Sequence, residues 1–154
     1  MNNEIIFRHG DIAILDEIKE LWEELNKHHL EKSPYFKHHF ENYTFEKRKE
    51  SIIKEAKNGK ILVIIAYDNN KKIGYIVSSV KTNIGEIESI YIKEDYRKCH
   101  IGNILMEKSL DFLKSNDVKK IIIGVSYGNE EAFGFYEKFG FYPKVTVLQF
   151  ISNV

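Results

Sequence analysis

Residues 86–113 read EIESIYIKEDYRKCHIGNILMEKSLDFL, and three segments follow one another in it without a break. An alternating β-like run comes first, then a basic turn Arg97-Lys98-Cys99-His100, then an amphipathic helix that begins near Ile101. A strand that enters a helix through a short basic loop makes a place for an anion. The first four N–H groups of the helix have no internal partner, and the dipole is positive at that end. Phosphate is the natural guest.

The flanking sequence sets the strand and helix in a sheet. Upstream, Ile61–Tyr67 and Lys72–Val80 are apolar runs joined by the turn Asp68-Asn69-Asn70-Lys71, a hairpin. A second turn, Lys81-Thr82-Asn83, leads into Gly85–Ile92 and makes a three-strand antiparallel meander. Downstream, Val118–Val125 is a β-branched run suited to a buried strand. Strand, helix and strand of this length form a βαβ crossover, so those two strands run parallel. Asn129–Phe141, NEEAFGFYEKFGF, reads as a short helix capped by Asn129 and closed by Gly140. Phe141–Phe150 supplies a closing strand interrupted by Pro143, whose exposed edge allows a homodimer.

Towards the N-terminus, Ile5-Ile6-Phe7 is a short strand and Asp11 an N-cap. Ile14, Leu15, Ile18, Leu21, Trp22 and Leu25 then recur at helical spacing. Thr44 caps a further helix that turns Phe45, Ile52, Ile53 and Ala56 inward and stops at Asn58-Gly59. The expected class is therefore α/β (α+β), a mixed, mostly antiparallel central sheet with helices on both faces. Its order is strand, two helices, three strands, helix, strand, helix, strand.

At 154 residues the chain fits one domain, 1–154. Lys plus Arg and Asp plus Glu are balanced at 23 each, so no overall field gathers nucleic acid or anionic membrane. Any anion site must be local. One cysteine excludes an internal disulfide, the N-terminus carries no secretory apolar run, and no window approaches the roughly 20 apolar residues of a membrane span. A soluble, cytoplasmic protein is expected.

His28-His29 and His38-His39 invite a metal reading, but adjacent residues on a helix point about 100° apart and miss the one-face spacing of ligands. No metal is expected. The segment 28–40 that holds both pairs reads as a mobile aromatic lip over a pocket, with Tyr35, Phe36 and Phe40 as walls, or as an ordinary surface loop or ragged helix. Trp22 has two readings, a core anchor and a substrate contact.

The element order and two motifs resemble the GNAT superfamily of acyl-CoA N-acyltransferases. The family's acyl-CoA signature is Arg or Gln, two residues, Gly, one residue, then Gly or Ala, after a strand ending in an apolar-aromatic-apolar triplet. Here the triplet is Ile90-Tyr91-Ile92 and the signature Arg97-Lys98-Cys99-His100-Ile101-Gly102, with His100 in place of the first Gly. The second motif, Asn129, Ala132, Tyr136, Gly140 and Phe141, matches throughout.

The resemblance implies an N-acetyltransferase that moves an acetyl group from acetyl-CoA to a primary amine, on a small molecule or a peptide, by direct attack in a ternary complex. Ile90, Tyr91 and Ile92 would pair with the pantetheine arm like a strand. Arg97, Lys98, Cys99, His100, Ile101, Gly102 and Asn103 would hold the pyrophosphate, and Asn129 and Tyr136 the pantetheine and thioester. Glu86 and Glu88 are candidate bases for a protonated amine, and Tyr136 a proton donor to the departing thiolate. Trp22, Tyr35 and Phe36 are candidate substrate contacts. At position 100 the resemblance implies a Gly because the backbone comes close to the pyrophosphate with dihedrals that a Cβ disfavours, at about 1–2 kcal/mol; His100 either weakens cofactor binding or keeps the loop and adds a donor to phosphate when protonated. His100 therefore keeps open a non-catalytic acyl-CoA binding or sensing domain. A nucleotide-binding module finds no P-loop or dinucleotide motif to support it.

Overall fold

The computed structural model describes residues 4–152. Five strands lie side by side in chain order: β1 (Ile5–Gly10), β2 (Lys60–Asp68), β3 (Lys71–Lys81), β4 (Ile84–Ile92) and β5 (Lys120–Ile123). The first four pair antiparallel, and β4 pairs with β5 parallel through the crossover helix. The helices are α1 (Lys19–Lys32), α2 (Lys37–Asn42), α3 (Phe45–Glu55), α4 (Ile101–Ser115) and α5 (Phe133–Glu137). The meander, the crossover and the mixed sheet are as expected.

The sheet is covered on both faces, which is why its central strands are apolar at successive positions rather than alternating. Val63 and Ile65 of β2, with Tyr75 and Val77 of β3, face a core built with Leu15, Ile18 and the following helices α1 and α3. Ile64, Ala66 and Ile76 face the opposite core, which α4 fills with Ile101, Leu105, Met106 and Leu113. All of these side chains are buried. At about 25 cal/mol per Å² of apolar area, the first layer is the main term holding α1 and α3 on the sheet and the second the main term holding α4.

The caps fall where side-chain chemistry puts them. Asp11 Oδ1 accepts from Ala13 N–H at 2.8 Å, opening a 3₁₀ segment, Ile12–Ile18, that runs into α1. Thr44 Oγ1 accepts from Lys47 N–H at 3.2 Å.

The histidine-rich stretch takes the ragged-helix form: α1 continues through Lys32, and a separate short α2 holds His38 and His39. Three expectations need correction. The last helix is a 3₁₀ turn, Glu130–Ala132, leading into five α-helical residues, and Asn129 gives it no side-chain cap. Only Lys120–Ile123 of the run 118–125 forms strand, and it lies at the edge of the sheet rather than inside it. Residues 141–152 form no strand at all, and every residue from Tyr142 to Ser152 is exposed. Pro143 lacks a ladder donor, and the segment has no partner strand within the described chain.

Candidate active site

The site begins where β4 and β5 part. Their pairing ends at Ile87 opposite Ile123. Beyond that point a cleft of about 70 Å³ opens between Ile87–Ile90 on one side and Ile123–Ser126 on the other. Leu25 and His29 of α1 close one end of it, and Asn129 and Tyr136 supply another wall.

A β-bulge aims the acidic side of β4. Ser78 faces Ile87 while Val77 faces Ser89, so Glu88 is an extra residue in the ladder. The bulge is what allows Ile87, Ile90 and Ile92 all to pack into the α4 core despite a three-residue step between the first two. It also turns Glu88 into the structure beside the cleft. The Glu88 side chain is 1% exposed, with Arg48 Nη2 at 3.2 Å from Oε2 and Ser79 Oγ donating to Oε1 at 2.7 Å. Arg48 Nη2 also donates to the Glu88 carbonyl at 2.6 Å. Both carboxylate oxygens are thus occupied. Glu86 lies on the same side but does not line the cleft, pairing instead with Lys81 at 3.6 Å. Burial, and then the neighbouring Glu88, raise its pKa.

Tyr136 is an aromatic of the α4 core whose surface also reaches the cleft. Burial pushes its phenol up to about 12, so the hydroxyl stays protonated through the neutral range and can only donate or accept a hydrogen bond there. The Asn129 side chain is turned to α1, where Oδ1 lies 3.3 Å from His28 Nε2. That junction is tight. Gly128, at φ +104, sits so close to the end of α1 that a Cβ would lie 2.2 Å from the Lys32 carbonyl oxygen. Glu131 Oε1 adds a contact of 3.4 Å to His28.

The basic turn has the geometry of an anion cradle. Lys98 (φ 70) and His100 (φ 62) are both left-handed, and His100 is the N-cap of α4 without a side-chain cap bond. Alternating left-handed residues aim successive N–H groups into one concavity. Ile104 N–H is the first to bond back, to His100 O at 3.1 Å, so Ile101, Gly102 and Asn103 have no acceptor within the helix. Arg97 Nε donates to the Ile92 carbonyl at 3.1 Å and its guanidinium lies 5.6 Å from the Tyr91 ring centroid, fastening the turn to the end of β4. A Cβ on Gly102 would meet Phe135 at 3.3 Å, so helix and α5 segment approach closely here. Cys99 is exposed.

Of the predicted residues the fold brings Glu88, Ile90, Asn129 and Tyr136 around one cleft; Tyr91, Ile92 and the 97–103 turn are not among its lining, and that turn is fastened to the end of β4 through Arg97. The fold does not bring in the three aromatics. Trp22 is 6% exposed within the first core, edge-on to Tyr43 and Phe45. Tyr35 is exposed and stacks on Tyr127 at 5.9 Å, and neither it nor Phe36 lines the cleft. Sequence reasoning missed His29, Arg48 and Ser79. His29 was legible as one more turn of the Leu21–Leu25 stripe. Its Nδ1 is buried with no hydrogen-bond partner among the described residues, and burial, then His28, lower its pKa to about 4.

A mixed sheet that splits beside an anion-ready helix N-terminus defines a class, and the comparisons name it. The sequence pattern of the Acetyltransferase (GNAT) family matches residues 16–141. The chain belongs to that family. It is 29% identical over 96 residues to the spermidine N(1)-acetyltransferase of Thermoplasma acidophilum, an alignment covering 62% of this chain and 60% of that relative. The chain thus spans less than two thirds of that relative's length. Its fold is similar to PaiA N-acetyltransferase from Thermoplasma acidophilum in complex with coenzyme A, with TM-score 0.72, 26% identity and 94% and 93% of the two chains covered. A GCN5-related N-acetyltransferase from Ralstonia eutropha shares the fold at TM-score 0.74 and 12% identity, over 96% and 99% of the chains.

Proposed function

We propose that the chain, acting as one domain, is an N-acetyltransferase that takes an acetyl group from acetyl-CoA and passes it to a primary amine by direct attack in a ternary complex. The observation that supports this reading is the parting of β4 and β5 at Ile87, beyond which Ile90 and Tyr136 line one cleft, together with the left-handed turn that opens α4 after the same strand. Acetyl-CoA supplies the acyl group as a thioester. The residues present fit it: the partnerless N–H groups of Ile101–Asn103 and the left-handed Lys98 and His100 suit a pyrophosphate. The edge of Ile90–Ile92, unpaired by β5, suits an amide-bearing arm.

In the chemistry, the Tyr136 hydroxyl donates a proton or hydrogen bond to the departing thiolate, a modest task because a thiol has a pKa near 8.5. The acceptor amine must first lose a proton. Glu88, held by Arg48 and Ser79, fixes the polar side of the cleft for that ammonium, and a water beside it carries the proton away. Glu86 stands behind it as a charge neighbour. A polyamine is the acceptor class we place first, supported by the spermidine enzyme among the relatives and by the carboxylate at the cleft. A cytoplasmic location agrees with the single, exposed, unbridged cysteine; among the described residues no helix is long and apolar enough to cross a membrane.

The test is thiol release from acetyl-CoA with spermidine, an amino sugar, an amino acid and a lysine peptide in parallel, alongside a thermal melt with CoA. Turnover with any amine supports the enzyme. A CoA-dependent rise in Tm with no turnover on any acceptor would favour the binding or sensing domain instead.

A further inference from the structure

We propose that His28 is a positioning residue: it holds the side-chain amide of Asn129 with its oxygen towards α1, so that the NH2 end is the group offered to the cleft, as a donor to a carbonyl of acetyl-CoA. The inference deepens the acetyltransferase reading above and rests on it.

A helix cap that is not made carries the first step. Asn129 stands at the N-cap of the 3₁₀ turn Glu130–Ala132, where an Asn oxygen ordinarily accepts from an N–H of the first turn. Here it makes no such bond. Its Oδ1 lies instead 3.3 Å from His28 Nε2, near the end of α1. Gly128 makes that reach possible, because it carries no Cβ at the point where the loop meets the Lys32 carbonyl. Other polar groups of the loop are satisfied locally: Gly128 N–H donates to Glu130 Oε1 at 2.8 Å and Asn129 N–H to Ser126 O at 2.9 Å. The Asn129 side chain alone crosses to α1.

The direction of that bond follows from a third group. Glu131 Oε1 lies 3.4 Å from the same Nε2. An ionised carboxylate only accepts, and so does an amide oxygen, so both neighbours favour the proton on Nε2. One N–H shared by two oxygens also accounts for two contacts that are each longer than a single strong bond. With Oδ1 committed to His28, the other branch of the amide, Nδ2, has no partner among the described residues, and Asn129 is a wall of the cleft. Glu131 thus fixes the His28 proton, and His28 fixes which end of Asn129 serves the cleft. The opposite orientation would present an oxygen there. That end repels a carbonyl, whereas the NH2 end pairs with one, and both the pantetheine amides and the thioester of acetyl-CoA carry carbonyls.

Two readouts test this, and neither needs turnover. Imidazole nitrogen NMR of the free protein in mildly alkaline buffer reads the tautomer: the His28 proton is expected on Nε2, and a proton on Nδ1 alone would overturn the proposal. Calorimetric affinity for acetyl-CoA reads the consequence. Gln carries its NH2 group as many bonds from Cα as His carries Nε2, whereas Asn carries it at the place of Nδ1. His28→Gln should therefore bind like the wild type, and His28→Asn about 3- to 10-fold more weakly, the range for one neutral hydrogen bond. Asn129→Ala should show the same loss, and His28→Asn added to it no further loss, because one residue acts through the other. Losses that add, or Gln and Asn variants that behave alike, would make His28 a packing residue and overturn the proposal. The same loss with CoA assigns the contact to an arm carbonyl, and a loss confined to acetyl-CoA assigns it to the thioester; either supports the role of His28. A wild type that binds neither ligand refutes the acetyl-CoA reading itself, whereas one that binds them while the variants break this pattern refutes only the role of His28.

Discussion

Removing the imidazole at position 100 tests the cradle most directly. His100 sits at φ 62, ψ 11, where a Cβ is crowded at a cost of about 1–2 kcal/mol that glycine does not bear. His100→Gly recovers that strain but gives more freedom to the unfolded chain, which returns about 0.5–1 kcal/mol. The net gain is about 0.5–1 kcal/mol, or roughly 1–4 °C in Tm for a chain of this length. His100→Ala keeps the Cβ and should gain nothing. Thr82 at φ 52 is a control, since Thr82→Gly relieves the same strain far from the cradle. Because His100 is already left-handed, exposed and without a cap bond, the N–H groups of the turn keep their positions in His100→Gly. The KM for acetyl-CoA should then change by less than about tenfold, the most that one exposed hydrogen bond is worth. Thermal melts and thiol-release kinetics on the three variants decide it. A glycine variant that melts lower would refute the strain argument, and a KM raised beyond tenfold would make the imidazole a ligand in its own right.

Other perturbations read the cleft. Tyr136→Phe should lower kcat by about 10- to 100-fold, at the low end of acid catalysis because thiolate leaves readily, while KM for acetyl-CoA holds; an unchanged kcat would return Tyr136 to the core. Glu88→Ala strands the guanidinium of Arg48, 19% exposed, and should cost about 3–5 kcal/mol in urea unfolding, with Glu88→Leu plus Arg48→Met recovering most of it. His29 is neutral in the fold until about pH 4 and ionises near 6.5 when unfolded. The unfolded state therefore binds the extra proton between those values, so stability falls as pH drops from 6.5 to 4, by about 2–3 kcal/mol in all. His29→Phe should flatten that limb of the stability curve, and a limb that persists would assign it to other groups.

The elements with strong local chemistry were legible in the chain alone. The meander follows from turns at Asp68–Lys71 and Lys81–Asn83, the crossover from the Ile101–Ser115 stripe between two apolar runs, and the cradle from a basic turn opening a helix. Each is set by neighbours within a few residues, where periodicity and capping act. What the sequence could not order was anything decided across the sheet. Glu86 and Glu88 look alike along the strand, and only the bulge against Val77–Ser78 buries one beside the cleft and leaves the other with Lys81. His29 and Trp22 share a helix, and only packing sends one to the cleft and the other into the core. Residues 118–125 and 142–151 both spell strand. Composition reports that such segments want a partner, but which edge pairs with which is a long-range choice, and one chain alone leaves the second segment unpaired.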